Sequence, residues 1–260
     1  KQTKIILVYS LAASDLNKRQ HLHEIKAEVL NENGRLTLQL ETTKDNKIVY
    51  SLDGKKPNYL IHSEYKSPIK IDSSVTIQAA IFNTDRQQLG AVFKQKIKLH
   101  KAVGKKISLN VKPDKGYNTG GKQALINGIS GNNKRYGDKE WLGFSGDDLE
   151  IIIKFDSPTK INSIATRFFN KKNQWIYVPK TLNLQLKLED GRAISTSKKT
   201  ENTDSLLVDF SVNISQFYPE DKNLKATELK ITIPSYGIIP EGKQGTGNKP
   251  WTFIDEITIK

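Results

Sequence analysis

The sequence predicts an all-β chain built as two successive sandwiches, a small immunoglobulin-like one and then an eight-stranded jelly roll. Three observations predict it. Apolar and polar residues alternate from Arg35 onward, as in Leu36, Leu38 and Leu40 against Thr37, Gln39 and Glu41, which is the pattern of half-buried strands. Clusters of Gly, Pro, Asn and Asp punctuate these runs at short intervals, as turns between short strands require. In the second half of the chain, no stretch long enough for a helix keeps a helical period.

Residues 1–30 open with the apolar run Ile5-Ile6-Leu7-Val8-Tyr9 and continue through Leu11, Leu16, Leu22, Ile25 and Val29. A helix starting at Ser14 or Asp15, either of which can cap it, is one reading of this stretch. It is assigned as a linker or as the tail of a preceding domain. Residues 31–104 form the first sandwich, of about seven strands or fewer: Leu36 to Leu40, then Ile48, Tyr50 and Leu52 before the turn Asp53-Gly54, then Ile69 and Ile71, Val75 to Ile81, and Val92 to Leu99.

The runs Ile48-Val49-Tyr50-Ser51-Leu52-Asp53-Gly54-Lys55-Lys56-Pro57, Tyr65-Lys66-Ser67-Pro68-Ile69 and Thr76-Ile77-Gln78-Ala79-Ala80-Ile81-Phe82 are similar to the chitobiase or β-hexosaminidase C-terminal domain. The resemblance implies a spacer with no chemistry of its own.

The stretch from His100 to Lys105 is the joint, and residues 105–260 make the second sandwich. Residues 118–144 are dense in Gly and Asn and end on Trp141-Leu142-Gly143-Phe144. They read as a long loop, and loops of that length in compact domains usually carry function. Strands follow at residues 149–155, 161–169, 182–188, 206–212, 229–233 and 252–259. The cleanest is Leu182, Leu184, Leu186 and Leu188, which all point one way.

Three runs in order, Ala124-Leu125-Ile126-Asn127-Gly128-Ile129-Ser130-Gly131 leading to Trp141-Leu142-Gly143-Phe144, Gln174-Trp175-Ile176-Tyr177-Val178-Pro179-Lys180, and Lys249-Pro250-Trp251-Thr252-Phe253-Ile254-Asp255-Glu256-Ile257, resemble a discoidin, or factor five/eight type C, domain. Such domains, akin to family 32 carbohydrate-binding modules, stand at the C-terminus of family 20 β-hexosaminidases of Bacteroidetes type. The resemblance implies a non-catalytic accessory region that binds glycans containing N-acetylglucosamine or galactose, joined to an upstream catalytic domain and placed in the periplasm, at the cell surface or outside the cell. The alternative is that both modules only brace that catalytic domain.

Composition agrees with a folded chain of two domains. At 260 residues each half can bury its own core, and no apolar run approaches the roughly 20 residues of a membrane span. The absence of Cys excludes disulfides and thiolate metal sites. With no Met and a Lys at position 1, the sequence reads as a processed product or an excised fragment. A net charge of +13 invites nucleic acid, yet residues 1–104 hold 17 Lys and Arg against 10 Asp and Glu, and residues 105–260 hold 24 against 18. An excess spread over both halves as isolated Lys is a solvated basic surface, so no nucleic-acid partner is expected.

No phosphate loop or nucleophile elbow is present. His21 and His23 lack a further ligand apart from Glu24, and with His62 and His100 they read as surface groups of the first domain. Family 20 enzymes use an adjacent Asp-Glu pair, but Asp255-Glu256 sits in an alternating strand that would send its two side chains to opposite faces. The pair is expected to be structural and the chain not to be an enzyme.

A sugar needs an aromatic platform for its C–H face and polar groups for its edge. Trp141 reads as core, whereas Trp175 and Trp251 divide evenly between core and site. In discoidin-like modules the ligand sits on loops at one end, and those loops correspond to Tyr136 and Asp138, to Arg167, Asn170, Gln174 and Trp175, and to Asn248 and Trp251. The same resemblance implies a structural Ca²⁺ at Asn127 and Glu256, helped by carbonyls of the turn at residues 124–130. Asn127 stands where Asp is usual, so a vacant site or a monovalent ion is the alternative.

Overall fold

The computed structural model describes residues 23–32, 35–42, 46–201, 203–218 and 224–260. The helix considered from Ser14 or Asp15, and His21, lie outside the described residues. The chain divides into two compact units, with the boundary between Lys98 and Leu99.

The first unit has strands β1 (Ile25–Glu32), β2 (Arg35–Thr42), β3 (Lys47–Ser51), β4 (Ser63–Glu64), β5 (Ile69–Ile71), β6 (Val75–Phe82) and β7 (Gln88–Ile97). They form a three-stranded sheet, β1-β2-β5, and a four-stranded sheet, β4-β3-β6-β7. Leu36, Leu38 and Leu40 of β2 are buried, as are their neighbours Ile69 and Ile71 on β5. Alternation fails in β6, where residues 79–82 are all buried. The reason is that both faces of this strand are covered: Ala80 and Phe82 join Val49 in a second small core, roofed by Tyr59 and Val92. Residues 25–30, expected in a linker or tail, are instead β1, paired along its whole length with β2.

The second unit holds β8 (Lys106–Leu109), β9 (Leu142–Ser145), β10 (Leu149–Lys160), β11 (Ser163–Phe169), β12 (Thr181–Leu188), β13 (Ala193–Lys199), β14 (Leu207–Asn213), β15 (Lys225–Ile233), β16 (Trp251–Ile254) and β17 (Thr258–Ile259). One sheet runs β13-β12-β15-β10-β8, and the other runs β14-β11-β16-β9 with β17 also on β11. The inward rows Leu182 to Leu188, Leu149 to Phe155 and Leu229 to Ile233 share one core with Ile164, Phe168, Phe210, Val212, Ile254 and Ile259. There are ten strands among the described residues, not eight, because two features were not visible. The edge strand β13 has two apolar residues, Ala193 and Ile194, of which only Ile194 is partly buried, followed by Ser, Thr and Lys. The expected last strand, residues 252–259, is cut in two at Asp255-Glu256-Ile257.

Antiparallel register fixes two ends of this sandwich. Ser163 of β11 lies beside Lys260 and pairs with Asn213, while Phe169 at the other end pairs with Leu207. The loops at residues 170–180, 200–206 and 234–250 therefore belong to the end away from the C-terminus.

Core geometry sets the cost of single changes. Leu184 is 2% exposed in the centre of β12, and Leu184→Ala is expected to destabilise by about 2–5 kcal/mol in urea melts. Gln185→Ala, one residue on and facing outward, should stay within about 0.5 kcal/mol of wild type.

Candidate functional site

The long Gly- and Asn-rich loop is held by the break in the last strand. Where β16 stops, Asp255 turns fully inward, and Gly131 N–H donates to its Oδ2 at 2.9 Å. Arg167 of β11 donates from Nε to both Asp255 oxygens, 3.3 and 3.0 Å away, and from Nη2 to the Gly131 carbonyl at 2.9 Å. Its Nη1 reaches Asn133 Oδ1 at 2.8 Å. Every nitrogen of this guanidinium is thus occupied within the protein. Burial pushes the Asp255 carboxyl up to about 6, against the opposing pull of Arg167.

Trp141 seals the same loop. It is fully buried, donates from Nε1 to the Asn132 carbonyl at 3.0 Å, and lies so close over Gly131 that a Cβ there would stand 2.3 Å from Nε1. Only glycine fits beneath that indole.

Glu256 is buried as well, on partners different from those of Asp255. Its Oε1 receives Gly128 N–H at 3.0 Å and lies 2.5 Å from His100 Nε2. Two backbone N–H groups, of Ala102 and Ile259, point at His100 Nδ1, which makes Nδ1 the acceptor and places the ring proton on Nε2, facing Glu256. His100, expected as a surface group of the first domain, is 2% exposed at the side chain and belongs to the interior of the second unit. Desolvation raises the Glu256 carboxyl, while the His100 contact lowers it.

Asn127 caps the 3₁₀ turn Lys122–Ile126. Its Oδ1 accepts Ile129 N–H at 2.8 Å, and its Nδ2 donates to Glu140 Oε2 at 2.7 Å. Glu140 was missed in the sequence, yet it is 6% exposed and pushed by burial up to about 6. Among the described residues no group of three or more His, Cys, Asp or Glu could hold a metal. Glu256 Oε2 is nevertheless buried without a hydrogen-bond partner, and Asn127 Oδ1 keeps a second lone pair. An orphan carboxylate oxygen beside a turn rich in carbonyls suits a hard cation, which takes about six to eight oxygens.

At the loop end lies a cleft of about 580 Å³. Tyr177 and Tyr236 line it with ring centroids 4.9 Å apart. Asn170 lines it too, and its Nδ2 donates to the carbonyls of Thr203 and Ser205. The Asn170 Oδ1 and the Tyr177 hydroxyl are buried with no partner. A buried polar atom left unpaired costs free energy comparable to a lost hydrogen bond, so both mark a place for polar company.

The other expected site residues are engaged elsewhere in the second unit. Trp175, at φ 62° after the 3₁₀ turn Lys172–Gln174, lays its ring on Gly245, where a Cβ would come within 2.4 Å. Gln174 is exposed on that turn. Trp251 donates its N–H to the Trp175 carbonyl at 2.7 Å, and its ring is 5.5 Å from Tyr117. Asn248 ties its loop through Ile239 N–H and the Gly245 carbonyl. Tyr136 packs on Phe253 and Phe169, and Asp138 accepts the N–H groups of Asn132 and Glu140. Of the eight, only Asn170 lines the cleft. Tyr177 and Tyr236 were missed, although Tyr177 stands inside the run from Gln174 to Lys180.

Residues 26–94 match the family model of the chitobiase/beta-hexosaminidase C-terminal domain. The match begins at the second residue of β1 and ends inside β7, so it takes in all seven strands of the first unit. None of the curated proteins matches the chain. Among solved structures, the chain is similar to the family 32 carbohydrate-binding module of Streptococcus pneumoniae EndoD, with 14% identity, 62% of this chain and 99% of that one covered, and a TM-score of 0.40. It is similar also to the C-terminal domain of a chitobiase from Bacteroides fragilis, at 18% identity, 62% and 95% coverage and a TM-score of 0.38. The family 32 module of C. perfringens NanJ, solved in complex with galactose, gives 16%, 60% and 92%, and 0.37.

The clamp around Asp255 generates a stability prediction. Arg167→Met leaves a buried carboxylate without its cation and should cost about 3 kcal/mol in denaturant melts at neutral pH. A cost below about 0.5 kcal/mol would mean that Asp255 is satisfied without Arg167.

Proposed function

We propose that this chain is the non-catalytic, carbohydrate-binding accessory region of a glycoside hydrolase, a β-N-acetylhexosaminidase, working outside the cytoplasm and joined to a catalytic domain on the same polypeptide. The observation that carries the binding is the cleft at the loop end of the second sandwich. The half-exposed Tyr236 ring, packed against the buried Tyr177, supplies an apolar platform, and two buried polar atoms beside it lack partners. A pyranose presents that same pairing, a C–H face and a rim of hydroxyls. The match of residues 26–94 to the chitobiase/beta-hexosaminidase C-terminal domain supports the choice of parent enzyme. Asp255 and Glu256 are each buried and engaged, by Arg167 and by His100, so neither carboxylate stands in a cleft as an acid or nucleophile. No helix among the described residues is long and apolar enough to cross a membrane.

A shallow site of this size gives weak binding, with Kd on the order of 0.1 to 1 mM. Titration with N-acetylglucosamine and galactose should show it, and Tyr236→Ala should remove most of it while leaving the melting curve in place. Saturation by neither sugar, or binding unchanged in Tyr236→Ala, would turn the reading toward simple bracing of the catalytic domain.

We further infer a structural Ca²⁺ at the turn, held by Glu256 Oε2, Asn127 Oδ1 and backbone carbonyls of residues 124–130. The ion would compensate two buried carboxyls, Glu256 and Glu140, that repel one another across Asn127. Chelation should lower Tm by about 2–8 °C, with recovery on adding Ca²⁺. A Tm indifferent to chelator would leave His100 and the Gly128 N–H as the groups that compensate Glu256.

A further inference from the structure

The cleft carries a charge that a neutral sugar does not use. Lys172, Lys180, Lys199 and Lys243 line it, together with Glu201 and Asp204. Lys172 Nζ is 2.8 Å from Asp204 Oδ1, so this pair cancels. Among the described residues Lys180, Lys199 and Lys243 make no close ion pair, and although Lys243 feels the already paired Asp204, the cleft keeps an excess of positive charge over Glu201. Their positions are not all at the rim. Lys180 Nζ lies 4.5 Å from the centroid of the Tyr236 ring, so one cation is held against the aromatic wall itself. The unpartnered Tyr177 hydroxyl and Asn170 Oδ1 belong to residues only 3% and 6% exposed.

We propose that the cleft selects a sugar unit bearing an anionic substituent, a carboxylate or a sulfate. Lys180, Lys199 and Lys243 face the anion, and the half-exposed Tyr236 ring supports the sugar's apolar face. This rests on the cleft being the carbohydrate site. Lysine is suited to the task because its ammonium is a mobile point charge, able to follow either a flat carboxylate or a tetrahedral sulfate.

The test is calorimetric titration of the full chain with galactose, galacturonate and galactose 6-sulfate. At low salt an acidic sugar should bind about tenfold more tightly than galactose, the gain expected from two or three half-exposed ion pairs. At about 0.5 M salt, where screening shortens to a few ångströms, that ratio should fall toward one. The ratio should also fall in the Lys199→Ala/Lys243→Ala variant, whose exposed positions spare the fold. The stronger of the two acids names the substituent. Galactose binding as tightly as both acids, or a ratio unmoved by salt and by the double variant, overturns the anionic preference while leaving the carbohydrate reading in place. Binding of none of the three sugars overturns the carbohydrate reading, and this preference with it.

Discussion

The second sandwich depends on two carboxylates buried side by side in sequence. Asp255 and Glu256 interrupt what would otherwise be one strand, and desolvating two acids is tolerable only where each meets its own compensating group. Asp255 meets Arg167 from the neighbouring strand, and Glu256 meets His100 from the start of the unit. Each also takes a backbone N–H from the long loop, Gly131 for one and Gly128 for the other. Four segments distant in sequence are joined through two adjacent residues. A loop that would otherwise be free over some twenty residues is thereby pinned at two points, and Trp141 closes over the second.

Pinning has a consequence for the loop end. The aromatic layer of Tyr117, Tyr136, Phe169, Trp251 and Phe253 grows from this clamp along β11 and β16. It backs the Trp175 and Trp251 backbones, which lie side by side and in turn position Tyr177 through its N–H to the Trp251 carbonyl. The platform ring therefore stands on a rigid stack and not on a mobile loop. For a weak ligand this matters, since ordering a side chain on binding costs about as much as a single good contact returns.

Much of this was legible in the residues. Leu182 to Leu188 and Leu36 to Leu40 announce strands because one face meets a core and the other meets water. The limits were equally physical. Phe253-Ile254-Asp255-Glu256-Ile257-Thr258-Ile259 alternates well enough to pass for a continuous strand, and only long-range partners, Arg167 and His100, make the break favourable. Residues 25–30 were grouped with the preceding stretch because Ile25 and Val29 continue its apolar run, which also suits a helix, while their pairing with β2 is a tertiary fact. At the site, tryptophan drew attention through size. Yet Trp175 is used to pack on Gly245, and the open aromatic surface falls to Tyr236, packed on the buried Tyr177, and no local pattern distinguishes either from other tyrosines.

The basic charge was read as a solvated surface, and for most of the chain it is one, with lysines such as Lys47, Lys105 and Lys230 paired to carboxylates on or near neighbouring strands. Around the cleft Lys172 keeps such a partner in Asp204, but the other lysines make no close ion pair among the described residues. Three strand and loop ends, at residues 180, 199 and 243, bring lysines to one place from separations that no sequence window spans. Their convergence follows from the sandwich topology, because β12 and β13 are antiparallel neighbours that put the start of one beside the end of the other. The register pairs Thr181 with Lys199, one residue from Lys180, so two of the three cations are set by a hairpin alone. The third comes from the loop held by Asn248 and Trp175. A charge cluster assembled in this way costs repulsion in the folded state, and a bound anion is the one partner that would relieve it without unfolding anything.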